Sequence, residues 1–205
     1  MSNKIKAVIW DMGGVILRTE DWKYRTQLAE FYNLSLKGIH DLVFNSDSAN
    51  RATLGEIDEK THWKNLGEQL GLNQKELIDF QKRFWQGDQL DQDLVGFIRR
   101  LQTDLKTGLL SNAWSGARAV LTDSKPCIDA FHFSVFSNEV GLAKPNPAIY
   151  RYILSLCEVP PSQAIFVDDA IENIEAANLL GIHGIHFVSA DQAVSSVEAL
   201  LKDEN

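Results

Sequence analysis

The stretch Ala7-Val8-Ile9-Trp10-Asp11-Met12-Gly13-Gly14-Val15 reads as a buried strand followed by a sharp turn. Its apolar run, Ala7 to Trp10, is too short for a helix and shows no polar alternation. Such a run suits a parallel strand covered on both faces, and the glycines suit the turn. An aspartate at the carboxyl end of a parallel strand stands where open α/β sheets bind their ligands. Alone, such an aspartate is usually a turn or helix-cap residue.

Working outward, Val15 to Leu17 is a second short apolar stretch. From Thr19 to Trp85 helical spacing takes over. Leu28, Phe31 and Tyr32 share one predicted face, as do Leu66 and Leu70, and then Leu77, Phe80 and Phe84. Gly55, Gly67 and Gly71 punctuate this region. From Leu90 onward strands and helices alternate. Leu94, Phe97, Ile98, Leu101 and Leu105 mark a helix, and Thr107 to Leu110 a strand. Ile149, Ile153 and Leu156 mark a helix with Pro147 in its first turn. Ala164 to Val167 is a strand, and Ile171 to Leu180 a helix stopped by Gly181. Ile185 to Val188 is a strand, and Val194, Val197, Leu200 and Leu201 mark a last helix. The expectation is an α/β fold. A doubly wound parallel sheet with a Rossmann-like core (residues 1–18 and 90–205) is interrupted by a small inserted helical cap domain (residues 19–89).

The chain has 205 residues, 44% of them hydrophobic, enough to bury a full core. Its formal net charge of -8 argues against a nucleic-acid partner, which a basic patch would hold. Cys127 and Cys157 fit no metal or redox spacing and read as reduced thiols. No signal-peptide pattern or membrane-length apolar run is present, so a cytoplasmic protein is expected. The oligomeric state, monomer or dimer, is left open.

Three apolar strands run into polar groups: Asp11, Ser111-Asn112 and Asp168-Asp169. In a parallel sheet these ends converge, and Lys144 lies in a loop between the second and third strands. Clustered carboxylates need a cation, and hard oxygen ligands suit magnesium. Asp11 could then attack the phosphorus of a small phosphorylated substrate and form an aspartyl phosphate. The Ser111 hydroxyl and the Asn112 backbone N–H would donate to the phosphoryl oxygens, and Lys144 would supply positive charge.

The set Asp11-Met12-Gly13-Gly14-Val15, Leu109-Leu110-Ser111-Asn112, Gly141-Leu142-Ala143-Lys144-Pro145 and Phe166-Val167-Asp168-Asp169 resembles the haloacid dehalogenase-like hydrolase superfamily. Gly55-Glu56-Ile57 and Asp169-Ala170-Ile171-Glu172-Asn173-Ile174 resemble its sugar-phosphate phosphatase branch, related to the N-terminal domain of epoxide hydrolases. The resemblance implies a magnesium-dependent phosphatase, with sugar phosphates as one substrate class. It makes Asp11 the nucleophile and a metal ligand. The backbone carbonyl of Gly13 and the Asp169 carboxylate become further ligands. Asp168 would act from behind the direct ligands or through a water, and Asn173 would orient this loop. Ser111 and Asn112 bind phosphate, and Lys144 is the motif lysine.

Gly13 departs from the commonest pattern, in which an aspartate protonates the leaving group. Glu20 and Asp21 are nearby candidates to replace it, although exposed acids at a helix start, favoured by its dipole, are the better reading of both. A catalytically weak or inactive phosphate-binding protein is therefore an alternative, as is a haloacid dehalogenase. Asp168-Asp169 argue against the dehalogenase. Trp63, Phe84 and Trp85 are expected to pack the cap, with the alternative that one overhangs the site.

Overall fold

Ala7–Trp10 forms strand β1, buried along its whole length. The computed structural model describes residues 4–202 of the chain. A short strand β2 (Leu17–Thr19) follows, then helices α1 (Lys23–Phe31), α2 (Leu36–Phe44), α3 (Asp47–Thr53), α4 (Glu59–Leu70) and α5 (Gln74–Trp85). Strand β3 (Asp88–Leu90) returns antiparallel to β2, pairing Leu17 with Leu90 and Thr19 with Asp88. After it come α6 (Gln92–Leu101), β4 (Lys106–Ser111), and the one-turn α7 (Ala117–Ala119), which continues as a π-helical turn over Val120–Ser124. Next are β5 (Phe133–Phe136), the one-turn α8 (Ser137–Val140), α9 (Pro147–Cys157) and β6 (Ala164–Asp168). Helix α10 (Ile171–Leu179), β7 (His183–His186) and α11 (Ala190–Lys202) complete the described chain.

The main sheet has five strands in the order β5-β4-β1-β6-β7, every pair parallel. Side chains alternate across it, as the strand period of two requires. Val8, Trp10, Leu109 and Val167 face α6 and α11 through Val95, Ile98 and Val197. Ala7, Ile9, Leu110 and Phe166 face α9 and α10 through Ile149, Ile153 and Ala177. The sheet is thus covered on both sides.

Helices α1 to α5 have their own core, in which Leu28, Ile39, Trp63, Leu66, Phe80 and Phe84 meet Trp114 from the loop after β4. Side-chain caps start four of these helices: Ser35, Ser46, Asp58 and Asn73 each accept a backbone N–H. Such a cap contributes about 1 kcal/mol. The helical unit is fastened to the loop after β4 by three hydrogen bonds. The Glu59 N–H donates to Ser115 Oγ, the Gly116 N–H to Glu59 Oε2, and Trp114 Nε1 to Thr53 Oγ1.

Several sequence expectations shift. Phe31 is 75% exposed rather than packed with Leu28, because α1 ends at it and the chain turns at Asn33. Gly67 does not punctuate: α4 runs through it, and Leu77 packs close against its missing side chain. The last strand begins at His183 rather than Ile185, with His183 paired to Ile165. The edge strand β5 and the β2–β3 pair were not anticipated.

Candidate active site

Strands β4, β1 and β6 are neighbours in the sheet, so their carboxyl ends lie side by side. Chain order reverses across β1, which makes this edge a topological switch point, where α/β sheets bind ligands. The Asp11 N–H donates to the Val167 carbonyl at 2.9 Å, extending the β1–β6 pairing by one residue. That bond holds the Asp11 carboxylate at the mouth of the crevice. The Ser111 side chain comes from the neighbouring strand end and is buried. Its hydroxyl makes no hydrogen bond to any described residue, which leaves it free for a ligand.

Lys144 Nζ lies 2.8 Å from Asp11 Oδ1 and 2.6 Å from Asp168 Oδ2. All three side chains are 10% exposed or less. Asp168 Oδ1 also accepts the Ala170 N–H, and Asn173 Nδ2 donates to the Asp168 carboxylate at 3.0 Å. Tyr150 Oη in turn donates to the Asn173 carbonyl, so Asn173 is held from behind. Asp168 is therefore committed to positioning Lys144 and the loop. Asp169, next in the chain, is exposed at the same edge.

Burial is the largest influence on Asp11 and pushes its carboxyl pKa up to about 7; Lys144 pulls it down, and Asp168 adds to the rise. Burial pulls the Lys144 ammonium down, but Asp11 and Asp168 outweigh it and hold its pKa above the ordinary lysine value. One oxygen from each of Asp11, Asp168 and Asp169 lies within 4.8 Å of the others. Three carboxylates face a single ammonium, which leaves two negative charges when all are ionised. One divalent cation cancels that charge, and the all-oxygen donors suit a hard ion such as magnesium.

The two glycines after Asp11 differ in what they require. A Cβ at Gly14, where φ is +74°, would collide with the Asp169 carboxylate. A Cβ at Gly13 would meet nothing within 4 Å. Glycine at position 14 therefore lets Asp169 approach the turn, whereas position 13 has room for a side chain.

The structure gathers Asp11, Gly13, Ser111, Asn112, Lys144, Asp168, Asp169 and Asn173 along one edge of the sheet. It brings neither proposed substitute acid to this edge's cavity. Glu20 pairs with Arg18, and Asp21 accepts the Lys23 N–H. The Asn112 side chain has a partner that sequence reasoning missed. It accepts the Lys144 N–H at 2.8 Å and donates to the Lys144 carbonyl at 2.9 Å. A cavity of about 580 Å³ adjoins the site, lined by Met12 and Asn112 among others. Trp85 lines it, while Trp63 and Phe84 are buried in the helical core.

This chain has relatives and structural neighbours among known proteins. A sesquiterpene phosphatase of Aspergillus oryzae is 26% identical over 191 residues, 93% of each chain. The D-ribitol-5-phosphate phosphatase of Bacteroides thetaiotaomicron is 27% identical over 192 residues, covering 86% of this chain and 89% of its own. A HAD family enzyme from Bacteroides thetaiotaomicron, solved in complex with magnesium and inorganic phosphate, superposes with a TM-score of 0.71 at 19% identity. It covers 89% of this chain and 93% of its own. The profile of haloacid dehalogenase-like hydrolases matches residues 5–181. The chain belongs to the haloacid dehalogenase-like hydrolases.

Proposed function

We propose that this protein is a cytoplasmic, magnesium-dependent phosphatase that hydrolyses a small phosphate monoester through an aspartyl phosphate on Asp11. The observation that carries this reading is the Asp11–Lys144–Asp168 cluster beside Asp169 and the unbonded Ser111 hydroxyl. Two phosphatases among the relatives support it. So does the neighbouring fold that binds magnesium and phosphate together.

Asp11, Asp169 and the Gly13 carbonyl would hold the ion, with Asp168 behind them. When bound, magnesium would neutralise the carboxylates and the phosphoryl oxygens. An Asp11 carboxylate oxygen forms a bond to phosphorus as the ester P–O bond breaks, and the alcohol leaves with a proton from water. Water then attacks the acyl phosphate, releasing inorganic phosphate and restoring Asp11. Lys144 and Ser111 bind the transferring oxygens, together with the Asn112 backbone N–H. Residues 19–89 act as the cap domain that covers this edge and limits access of water.

Steady-state assay with an aryl phosphate and magnesium tests the reading. Turnover should vanish with EDTA and with Asp11→Asn. Turnover that persists in Asp11→Asn overturns the assigned nucleophile. Gly13 favours one other reading, a binding protein of the same fold without turnover. That reading requires tight phosphate binding and no hydrolysis of any ester.

A further inference from the structure

The cavity beside the site has a chemical character of its own. Its apolar lining comes from three parts of the chain: Met12 and Leu17 after β1, Phe44 and Trp85 from the helical insert, and Trp114 and Val120 after β4. Phe44 stacks on Trp114, with ring centroids 5.6 Å apart and planes at 28°. Trp85 meets Phe44 edge-on at 5.7 Å. The rings brace one another and form a preset wall. At about 580 Å³ the cavity is of a size that holds a small organic ligand.

Most polar groups in this lining already have partners. The Asp88 carboxylate accepts from Arg25 and Thr19. The Glu59 carboxylate accepts from the Trp63 indole and the Gly116 N–H. Lys125 donates to the Asp88 carbonyl, and Thr53 accepts from Trp114. The Asn112 amide is closed on Lys144. The remaining polar lining residues, Asn45, Asn50 and Ser124, are exposed and belong to the mouth. A hydroxylated chain drawn inside would leave water and find few free partners, which is costly. A hydrocarbon would lose nothing and would cover the rings.

The cavity begins one residue after Asp11, at Met12, and one residue after Ser111, at Asn112. A phosphoryl group at the sheet edge therefore has its ester chain leading into the apolar space. We infer that the substrate is the phosphate monoester of an apolar alcohol, rather than of a sugar or polyol, with its hydrocarbon part seated against Phe44, Trp85 and Trp114. This rests on the phosphatase reading above.

Competitive inhibition of aryl phosphate hydrolysis by a ladder of alkylphosphonates, butyl to octyl, tests it without depending on the leaving group. Each added methylene should lower Ki about fourfold. Glycerol phosphate and ribitol phosphate should inhibit about 10²-fold more weakly than the octyl compound. Trp85→Ala should flatten the ladder; the wild-type ladder stands alone if that variant fails to fold. A flat wild-type ladder, or polyol phosphates binding more tightly, overturns the inference while aryl phosphate turnover keeps the phosphatase reading. If aryl phosphate is not hydrolysed, that reading falls, and calorimetric titration of the same ladder still decides the chemistry of the cavity.

Discussion

Asn112 grips the backbone of Lys144 by both ends of its amide, accepting the Lys144 N–H at 2.8 Å and donating to the Lys144 carbonyl at 2.9 Å. The two residues are 32 apart in sequence, on the loop after β4 and the loop before α9. The pairing resembles one rung of a sheet, made with a side chain. Through it, the strand end that carries Ser111 also sets the position of the ammonium that meets Asp11. Asn112→Ala should lower kcat about 10²-fold by letting Lys144 drift on the scale of an ångström. KM should change much less, since Ser111 and the backbone donors remain. Steady-state kinetics separates the two. A loss confined to KM would mean that the side chain binds substrate directly.

Lys144 also stabilises the fold. It is the only cation among the described residues in contact with the buried Asp11 and Asp168 carboxylates. Lys144→Met leaves both carboxylates buried without a counter-charge, a change that costs about 3–5 kcal/mol. Asp168→Asn keeps the shape and an acceptor for Lys144, so it should cost less. The double variant should recover part of the loss, because the two residues share one interaction. Urea unfolding of the four proteins measures the coupling. Strict additivity would show that the ion pair makes no net contribution.

The legible parts of the molecule are those whose signal is local. β1, β4 and β6 are buried on both faces, so Ala7–Trp10 and Ala164 to Val167 are unbroken apolar runs. The aspartates at their ends are read directly from the same stretches. β5 lies at the sheet edge with Phe133 and Ser134 half-buried, and its four residues carry no such run. The β2–β3 pair is too short to have a pattern. The Asn112 grip depends on two loops meeting in space, which no spacing encodes. Phe84 and Trp85 are adjacent, about 100° apart around their helix. One ring faces the helical core and the other the cavity, and only packing decides which.

The two cysteines make a prediction about alkaline pH. Burial pushes both thiols up to about 11, from an ordinary value near 9. The unfolded chain ionises its thiols above pH 9, while the native state keeps them neutral. Their contribution to stability is complete below pH 9 and is lost as the pH rises towards 11. Each thiol adds a slope of about 1.4 kcal/mol per pH unit in that window. Cys127→Ala/Cys157→Ala should flatten the alkaline limb of stability measured by urea unfolding, even if it lowers stability at pH 7. A native thiol that reacts readily with a disulfide reagent at pH 8 would contradict the burial argument.

Gly13 and Gly14 should respond in opposite ways to a side chain. Gly14 has a φ of +74°, and a Cβ there would run into the Asp169 carboxylate. Gly14→Ala therefore pays about 1–2 kcal/mol for the left-handed backbone and displaces Asp169. Magnesium affinity, read by calorimetry, should fall by at least about tenfold, in the range seen when groups supporting a metal site are lost. Gly13 has open space, so Gly13→Asp should fold with little change in stability. Its carboxyl would stand two residues after the nucleophile, where a proton donor can serve the leaving alcohol. General acid catalysis contributes ~10²–10⁴-fold, and it helps most where the leaving group is most basic. In the native protein, rates should fall steeply from aryl to alkyl phosphates. Gly13→Asp should raise alkyl phosphate turnover by at least about 10²-fold and leave aryl phosphate nearly unchanged. Equal native rates on the two ester classes would show that another group already delivers the proton.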